Sequence, residues 1–269
     1  MAIEKALALL ACPQCQGRLL LEGRSLVCPR GHSFDLAKQG YVNLLGRAAP
    51  ANADRADMVA ARDRFLSAGH YRPIEQALAR RIGSARRLLE VGAGTGHYLA
   101  GLLEALPQAV GLATDVSVPA CRRAARAHER MGAVVADTWA GLPVRSGHVD
   151  ALLCVFAPRN PAEFARVCAP GATLAVVTPN AGHLAQAREA LGLLDVEADK
   201  LARLNRTMSG AFEAVWTQRI RWSMDLGAQD LSDLVQMGPN AFHEHAAVQR
   251  DMTVEADVQL TIFRRPNGG

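Results

Sequence analysis

The sequence predicts an α/β protein: a doubly wound, mostly parallel sheet with an antiparallel edge, preceded by a small N-terminal domain. Three observations support this prediction. Strand-like and helix-like segments alternate from residue 87 to residue 179, a glycine-rich turn follows the first of these strands, and three cysteines and a histidine cluster within the first 32 residues. We expect the N-terminal domain to cover residues 1–46, a linker and helical segment to cover 47–85, and the main domain to cover 86–269.

The composition indicates a folded chain that does not span a membrane. Of the 269 residues, 49% are hydrophobic, yet no run of about 18 apolar residues is long enough to cross a bilayer. The apolar stretch Ala6–Ala11 is shorter than the roughly 7–15 residues of a signal-peptide core. We therefore expect a cytoplasmic protein in a reducing compartment, with no membrane partner. The net charge of +4 permits a nucleic-acid partner but does not require one.

The first element is the cysteine cluster, whose spacing is C-x2-C-x12-C-x3-H. Cys12 and Cys15 lie in the turn CPQC, Cys28 and His32 lie in CPRGH, and the Leu-rich stretch between the turns predicts a hairpin around residues 22–23. In a reducing compartment, clustered cysteines bind metal more often than they form disulfides. Four ligands of the type Cys3His suit a structural, tetrahedral zinc ion. Free cysteines, or a redox C-x-x-C pair, are the weaker alternatives, since a redox pair normally opens a helix.

Glycines near the four ligands should shape their turns. Gly17 and Gly31 follow the two cysteine turns and fit a requirement for positive φ there. A segment this small buries little apolar surface alone, so the metal would substitute for a core.

The segment after the zinc ligands contains a linker and two helices. The stretch RAAPANADRAD, residues 47–57, lacks apolar periodicity and predicts a linker. A helical pattern then runs from Met58 to Gly83 and is broken near AGHYRP, where Pro73 fits the first turn of a second helix. Nine arginines stand against four acids between Arg47 and Arg87. These arginines predict either a phosphate-facing surface or a solvated helix face.

The main domain alternates strands and helices in the order expected of a parallel sheet covered on both faces. The predicted strands are residues 87–91, 109–115, 133–137, 149–156 and 173–179, and the predicted helices are 97–106, 118–130 and 161–168. After a helical stretch near 182–204, RIRWSM and DVQLTIF each alternate apolar and polar residues. These two strands predict a terminal hairpin at one edge of the sheet.

The strand at 87–91 runs directly into GAGTG, with Gly92, Gly94 and Gly96 ahead of a helix. Such a loop brings backbone N–H groups close to a ligand. The dinucleotide fingerprint would need a third small residue where His97 stands, and the Walker A sequence is absent. The loop alone therefore indicates a nucleotide-like ligand without saying which one.

Three acidic residues help to identify the ligand of the glycine loop. Glu90 precedes the loop, Asp115 ends the second strand, where it can accept both ribose hydroxyls, and Asp137 ends the third strand, where it could meet an adenine amino group. Taken singly, each acid could be a solvated loop residue or a helix cap. Together with the glycine loop and the antiparallel edge, they predict a class I S-adenosylmethionine-dependent methyltransferase fold.

Several longer motifs resemble one family. CPQCQG, CPRGHSFDLAKQGYVNLL, MVAARDRFLSAGHYRPI, LLEVGAGTGHY, TDVS, FAPRNPAEFARV and LVQMGPNAF are similar to segments of the 23S rRNA guanine-N1 methyltransferases, both housekeeping and macrolide-resistance types, including the tylosin-resistance type. The resemblance runs from Cys12 to about Phe263. It implies that a zinc domain recognises rRNA. It also implies that the enzyme methylates guanine N1 in hairpin 35 of 23S rRNA. We expect the guanine-748 type rather than the guanine-745 type, with tylosin-class macrolide resistance.

The resemblance also implies which residues touch the methyl donor: Tyr71, Gly96, His97 and His183. Without it, Tyr71 would be a core aromatic residue and the two histidines would cap a helix and satisfy a loop carbonyl. FAPRN lies where the target base would enter this fold, and the residues do not identify the acceptor for the N1 proton. The sequence allows a homodimer without requiring one. The rival reading is a small-molecule methyltransferase of the same fold, which leaves the zinc cluster and the arginine-rich segment unexplained.

Overall fold

The structure is a computed structural model that describes residues 1–194, 200–243 and 251–267. The N-terminal part contains a short helix α1 (Ala2–Lys5), a 3-10 turn (Leu7–Leu9), and strands β1 (Leu20–Glu22), β2 (Ser25–Val27), β3 (Ser33–Asp35) and β4 (Val42–Asn43). Strands β1, β2 and β3 form a small antiparallel sheet. The β1–β2 hairpin pairs residue 22 with residue 25, which confirms the predicted turn.

The segment between the N-terminal and main domains contains two helices, α2 (Ala56–Ser67) and α3 (Arg72–Ile82). The alternating series follows: β5 (Arg87–Val91), α4 (His97–Ala105), β6 (Val110–Asp115), α5 (Val118–Ala124), β7 (Met131–Val135), β8 (Val149–Val155), α6 (Pro161–Val167) and β9 (Cys168–Pro179). The C-terminal part contains α7 (Ala185–Leu191), α8 (Lys200–Met208), β10 (Glu213–Leu226), α9 (Ala228–Gln236), a 3-10 turn (Pro239–Phe242) and β11 (Met252–Arg264).

The main sheet has eight strands in the order β10-β11-β9-β8-β5-β6-β7-β4. Strands β4, β7, β6, β5, β8 and β9 run parallel, whereas β11 pairs antiparallel with β9 and with β10. The predicted doubly wound sheet with an antiparallel terminal hairpin is therefore confirmed. Because the central strands are parallel, the carboxyl ends of β5, β6, β7 and β8 meet at one edge, where a ligand binds in such folds.

Apolar side chains cover both faces of the sheet, as is usual for parallel strands. Along β8, Leu153 and Val155 join one buried cluster, which includes Phe65 of α2. Leu152 lies in a second buried cluster, which includes Phe164 of α6. The near-continuous apolar runs in the sequence thus reflect burial on two faces rather than one.

The zinc segment and the main sheet share one core. Cys12 and Leu26 lie in the same buried cluster as Val134 of β7. Helix α1 packs against β7 at Gly132, where a Cβ would lie 2.9 Å from Cδ1 of Ile3. Strand β4 continues this attachment by pairing with β7 in parallel.

Two predicted helices differ from the structure in extent. The helix predicted over 118–130 ends at Ala124, because the next residues form tight i to i−3 turns and the Arg130 guanidinium donates to backbone carbonyls of residues 103, 106 and 109. The helical stretch predicted near 182–204 consists of α7 and α8, and residues 195–199 between them lie outside the described residues. Over the ranges that the structure describes, no helix combines the length and apolar character needed to cross a bilayer.

Candidate zinc centre and donor site

The four predicted zinc ligands converge at the N-terminal end of the molecule. The ligand atoms of Cys12, Cys15, Cys28 and His32 all lie within 4.8 Å of one another. His32 Nδ1 is 3.4 Å from the Sγ atoms of both Cys12 and Cys28, and the Cys15 and Cys28 sulfurs are 3.7 Å apart. Zn–S bonds of about 2.3 Å and a Zn–N bond of about 2.0 Å separate tetrahedral ligands by about 3.5–3.8 Å. The side chains therefore fit a structural zinc ion.

Backbone hydrogen bonds shape the two turns that carry these ligands. Cys12 N donates to Gly17 O at 2.8 Å, and Cys28 N donates to His32 O at 3.0 Å. Gly31 has φ +84°, as expected, but in the first turn the left-handed residue is Gln16, with φ +58°, and not Gly17. Gly17 is needed for space instead, since a Cβ there would lie 3.3 Å from the Cys15 sulfur.

The glycine loop follows β5 and uses its three glycines in three different contacts. All three have left-handed φ values, between +54° and +75°. A Cβ on Gly92 would lie 2.6 Å from the Cβ of Ala157, and one on Gly96 would lie 2.6 Å from Cε of Met131. A Cβ on Gly94 would lie 2.8 Å from Nη1 of Arg62. Two glycines therefore allow close packing of the loop, while the third faces an arginine side chain.

Asp115 and Glu90 both support this loop. The two carboxylate oxygens of Asp115 accept the N–H groups of Gly94 and Ser117, each at 2.8 Å. Glu90 is buried and accepts the N–H of Leu99 at 3.1 Å. Burial, with a smaller contribution from the neighbouring charge of Asp115, raises the pKa of Glu90 to about 8. Burial also raises the pKa of Asp115.

Asp137 and His97, two predicted donor contacts, hold protein partners. One Asp137 oxygen accepts the N–H of Trp139 at 2.9 Å, and the other is paired with the Arg47 guanidinium. His97 Nε2 lies 2.6 Å from Oε1 of Glu75. The His97 ring therefore contacts α3, and its position at the start of α4 leaves its backbone beside the glycine loop.

Arg62 is a site residue that sequence reasoning missed. Its guanidinium lies against Gly94, pairs with Asp54, and donates to Met237 O at 2.5 Å. Ser117 Oγ donates a hydrogen bond to Asp54 O at 2.7 Å. This bond holds the segment before α2 beside the glycine loop and Asp115. Within MVAARDRFL nothing distinguishes this arginine from a surface arginine.

Tyr71 and His183, also predicted to touch the donor, form a buried pair. Tyr71 Oη is 3.3 Å from His183 Nε2, and Asp257 N donates to His183 Nδ1 at 3.1 Å. A neutral His183 that accepts at Nδ1 carries its proton on Nε2 and donates it to Tyr71. The tyrosine hydroxyl can then donate its own proton to a bound ligand. Burial raises the pKa of Tyr71 well above its ordinary value, so the hydroxyl stays protonated.

Comparison with known proteins finds relatives of the N-terminal segment and of most of the chain. Residues 10–51 match the family model of a zinc ribbon described as RlmA, N-terminal. The 23S rRNA (guanine(748)-N(1))-methyltransferase of Streptomyces fradiae is 47% identical over 87% of this chain and 86% of the relative. A Micromonospora griseorubida protein with the provisional name 23S rRNA (guanine-N(1)-)-methyltransferase is 45% identical over 95% of this chain and 97% of its own.

Solved structures agree with the fold. In a complex of the Haloferax volcanii Trm112 methyltransferase activator with a provisionally identified methyltransferase, one chain aligns with a TM-score of 0.54 at 18% identity. The alignment covers 78% of this chain and 95% of that chain.

Proposed function

This chain belongs to the family of 23S rRNA (guanine-N1)-methyltransferases, and from that premise we propose that it methylates N1 of a guanine in hairpin 35 of 23S rRNA, of the guanine-748 type. The observation that carries the proposal is the 47% identity with the Streptomyces fradiae enzyme over most of both chains. The Cys3His cluster and the glycine loop supply the two sites that such an enzyme needs. An rRNA substrate would place the reaction in the cytoplasm.

The charges around the glycine loop suit S-adenosylmethionine. When bound, this donor supplies a methyl group that its sulfonium has already activated. Asp115 lies at the end of β6, where a carboxylate can accept ribose hydroxyls. The Asp115 carboxylate would repel the donor's carboxylate, whereas Arg62 beside Gly94 would attract it. Arg62 would then exchange Asp54 for the donor's carboxylate.

The remaining residues would fix the donor in place and shield the reaction from water. The Tyr71 hydroxyl would donate a hydrogen bond to S-adenosylmethionine, because its oxygen already accepts a hydrogen bond from His183. The backbone of Gly96 and His97 would approach the donor from the start of α4. With the donor so held, the protein has to place guanine N1 in line with the methyl group, which lowers the entropic cost of the transfer.

The zinc segment would recognise the rRNA. Its Arg18, Arg24 and Arg30 are exposed, and the zinc ion would hold the small three-stranded sheet beside them. A methyl group on N1 removes a Watson–Crick N–H donor and adds bulk at the rRNA surface. We expect this change to weaken binding of tylosin-class macrolides and so to confer resistance.

Primer extension tests the proposal. Ribosomal RNA from cells that express this protein should stop reverse transcriptase at one guanine of hairpin 35, because an N1-methyl group blocks base pairing. A Gly94→Val variant, whose side chain would fill the loop beside Arg62, is the matched control and should give no stop. If the wild-type protein also gives no stop, the rRNA proposal is wrong, and a small-molecule methyltransferase of the same fold becomes the better reading.

A further inference from the structure

We propose that Phe156 is the platform on which the target guanine stacks during methyl transfer. This inference rests on the proposed function and assigns a residue that contacts the RNA base rather than the donor. Phe156 directly follows β8 and opens the FAPRN stretch. Its ligand would be the flat face of an unstacked nucleobase.

The position of Phe156 brings its ring to the donor loop. Strand β8 pairs with β5, whose carboxyl end leads into the glycine loop. The residue after Phe156 is in contact with that loop, since a Cβ on Gly92 would lie 2.6 Å from the Cβ of Ala157. A base stacked on Phe156 would therefore lie beside the site proposed for the donor.

The backbone of Phe156 turns its side chain outward. Phe156 has φ +54°, a left-handed conformation that bulky residues rarely adopt. Its N–H donates to Val177 O at 3.1 Å, so the conformation is held by the sheet. The side chain remains 40% exposed, although the residues on either side of it are buried. A strained conformation that exposes an apolar ring at a ligand site indicates a role for the ring in binding.

Neighbouring aromatic residues hold the ring in place. The Phe156 ring stacks on His183 at 5.9 Å between centroids, with an interplanar angle of 29°, and lies 6.1 Å from Tyr71. Its contacts with these two buried side chains fix the orientation of the ring before any RNA arrives. A fixed aromatic surface stacks a base at little entropic cost, and recognition of RNA bases in loops commonly uses such surfaces.

The experiment compares Phe156→Leu with Phe242→Leu in the full-length protein. Phe242 is the matched control, because it is also a phenylalanine and is 41% exposed, but lies in the 3-10 turn after α9 with its ring 4.9 Å from the Arg55 guanidinium. Methyl transfer to a hairpin 35 transcript gives kcat/KM, and calorimetry with S-adenosylhomocysteine gives donor affinity.

Phe156→Leu should lower kcat/KM for the RNA by about 5- to 150-fold, the range that follows from loss of one base–aromatic stack. Donor affinity should stay within about threefold, and Phe242→Leu should match the wild type in both measurements. Phe156→Tyr should retain methyl transfer, because tyrosine keeps an aromatic ring at this position. Phe156→Gly tests the ring without backbone strain, since glycine adopts positive φ freely; it should fold, bind the donor and lose transfer.

Two results would overturn the inference. One is wild-type kcat/KM in both Phe156→Leu and Phe156→Gly. The other is a loss of donor affinity as large as the loss of transfer, which would assign the ring to the donor site. Failure of the proposed function is distinguishable from both, because then the wild-type protein itself would leave the transcript unmethylated.

Discussion

Gly92→Ala should destabilise the protein through one close contact, between the glycine loop and the loop that follows β8. Gly92 has φ +61°, and an alanine there would incur about 1–2 kcal/mol of left-handed strain. Its Cβ would also lie 2.6 Å from the Cβ of Ala157. An alanine Cβ cannot rotate away, so the backbone of one loop has to move, at a further cost of about 1–3 kcal/mol. We therefore expect a total loss of about 2–5 kcal/mol.

Gly192→Ala is the matched control for the strain alone. Gly192 ends α7 with φ 66° and ψ 38°, and no atom of the described residues lies within 4 Å of the Cβ it would gain. The free energy of unfolding, measured by urea denaturation, should fall by only about 1–2 kcal/mol in this variant. The difference between the two variants isolates the steric contact.

A second substitution makes the test stricter. Ala157→Gly removes the atom that Gly92→Ala would meet, so the double variant should recover the steric part of the loss and keep only the strain. Equal losses in Gly92→Ala and Gly192→Ala, or a double variant no more stable than Gly92→Ala, would refute the packing that the structure places at this point.

Two further predictions concern the metal and a buried acid. Cys12→Ala should abolish zinc binding and increase amide exchange over β1, β2 and β3, because loss of one ligand opens a closed structural site; unchanged zinc content would contradict this. For Glu90, the folded pKa of about 8 lies above the unfolded value of 4.5, so its stabilising contribution is complete below about pH 4.5 and is lost as pH rises through about 8. Between pH 5 and 9, the donor-free wild type should therefore lose about 4 kcal/mol of unfolding free energy relative to Glu90→Gln, whereas parallel pH profiles would show that Glu90 is not desolvated.

Local features of the sequence were sufficient to predict most of the sheet. The strand at 87–91 matches its prediction at both ends, because a buried apolar run there is bounded by an arginine and a glycine turn. The zinc ligands could be predicted from their spacing, since three cysteines and a histidine on two short turns are typical of a zinc site. These features could be predicted because residues close together in the sequence determine them.

The unpredicted features depend on contacts between distant parts of the chain. Asp137 lies two residues after β7, which ends at Val135, and not at the strand end predicted for it. It is paired with Arg47, 90 residues earlier, so its position in the sequence does not reveal its partner. Arg62 becomes a site residue only because α2 packs beside the glycine loop. The left-handed conformation of Phe156 is held by Val177 on β9, and no local pattern in FAPRN encodes that hydrogen bond.

The zinc segment is connected to the proposed donor site through the sheet, and this connection would give a bound zinc ion a second structural role. Cys28 and His32 lead into β3, and β4 then pairs with β7 at the edge of the main sheet. Four residues after β4, Arg47 reaches Asp137, and the same stretch of chain continues to Asp54 and its pair with Arg62 beside Gly94. Bound zinc would fix the start of this path, and β7 holds its middle by pairing with β4. The position of Arg62 beside the glycine loop would therefore depend in part on a metal centre whose own ligands all lie within the first 32 residues.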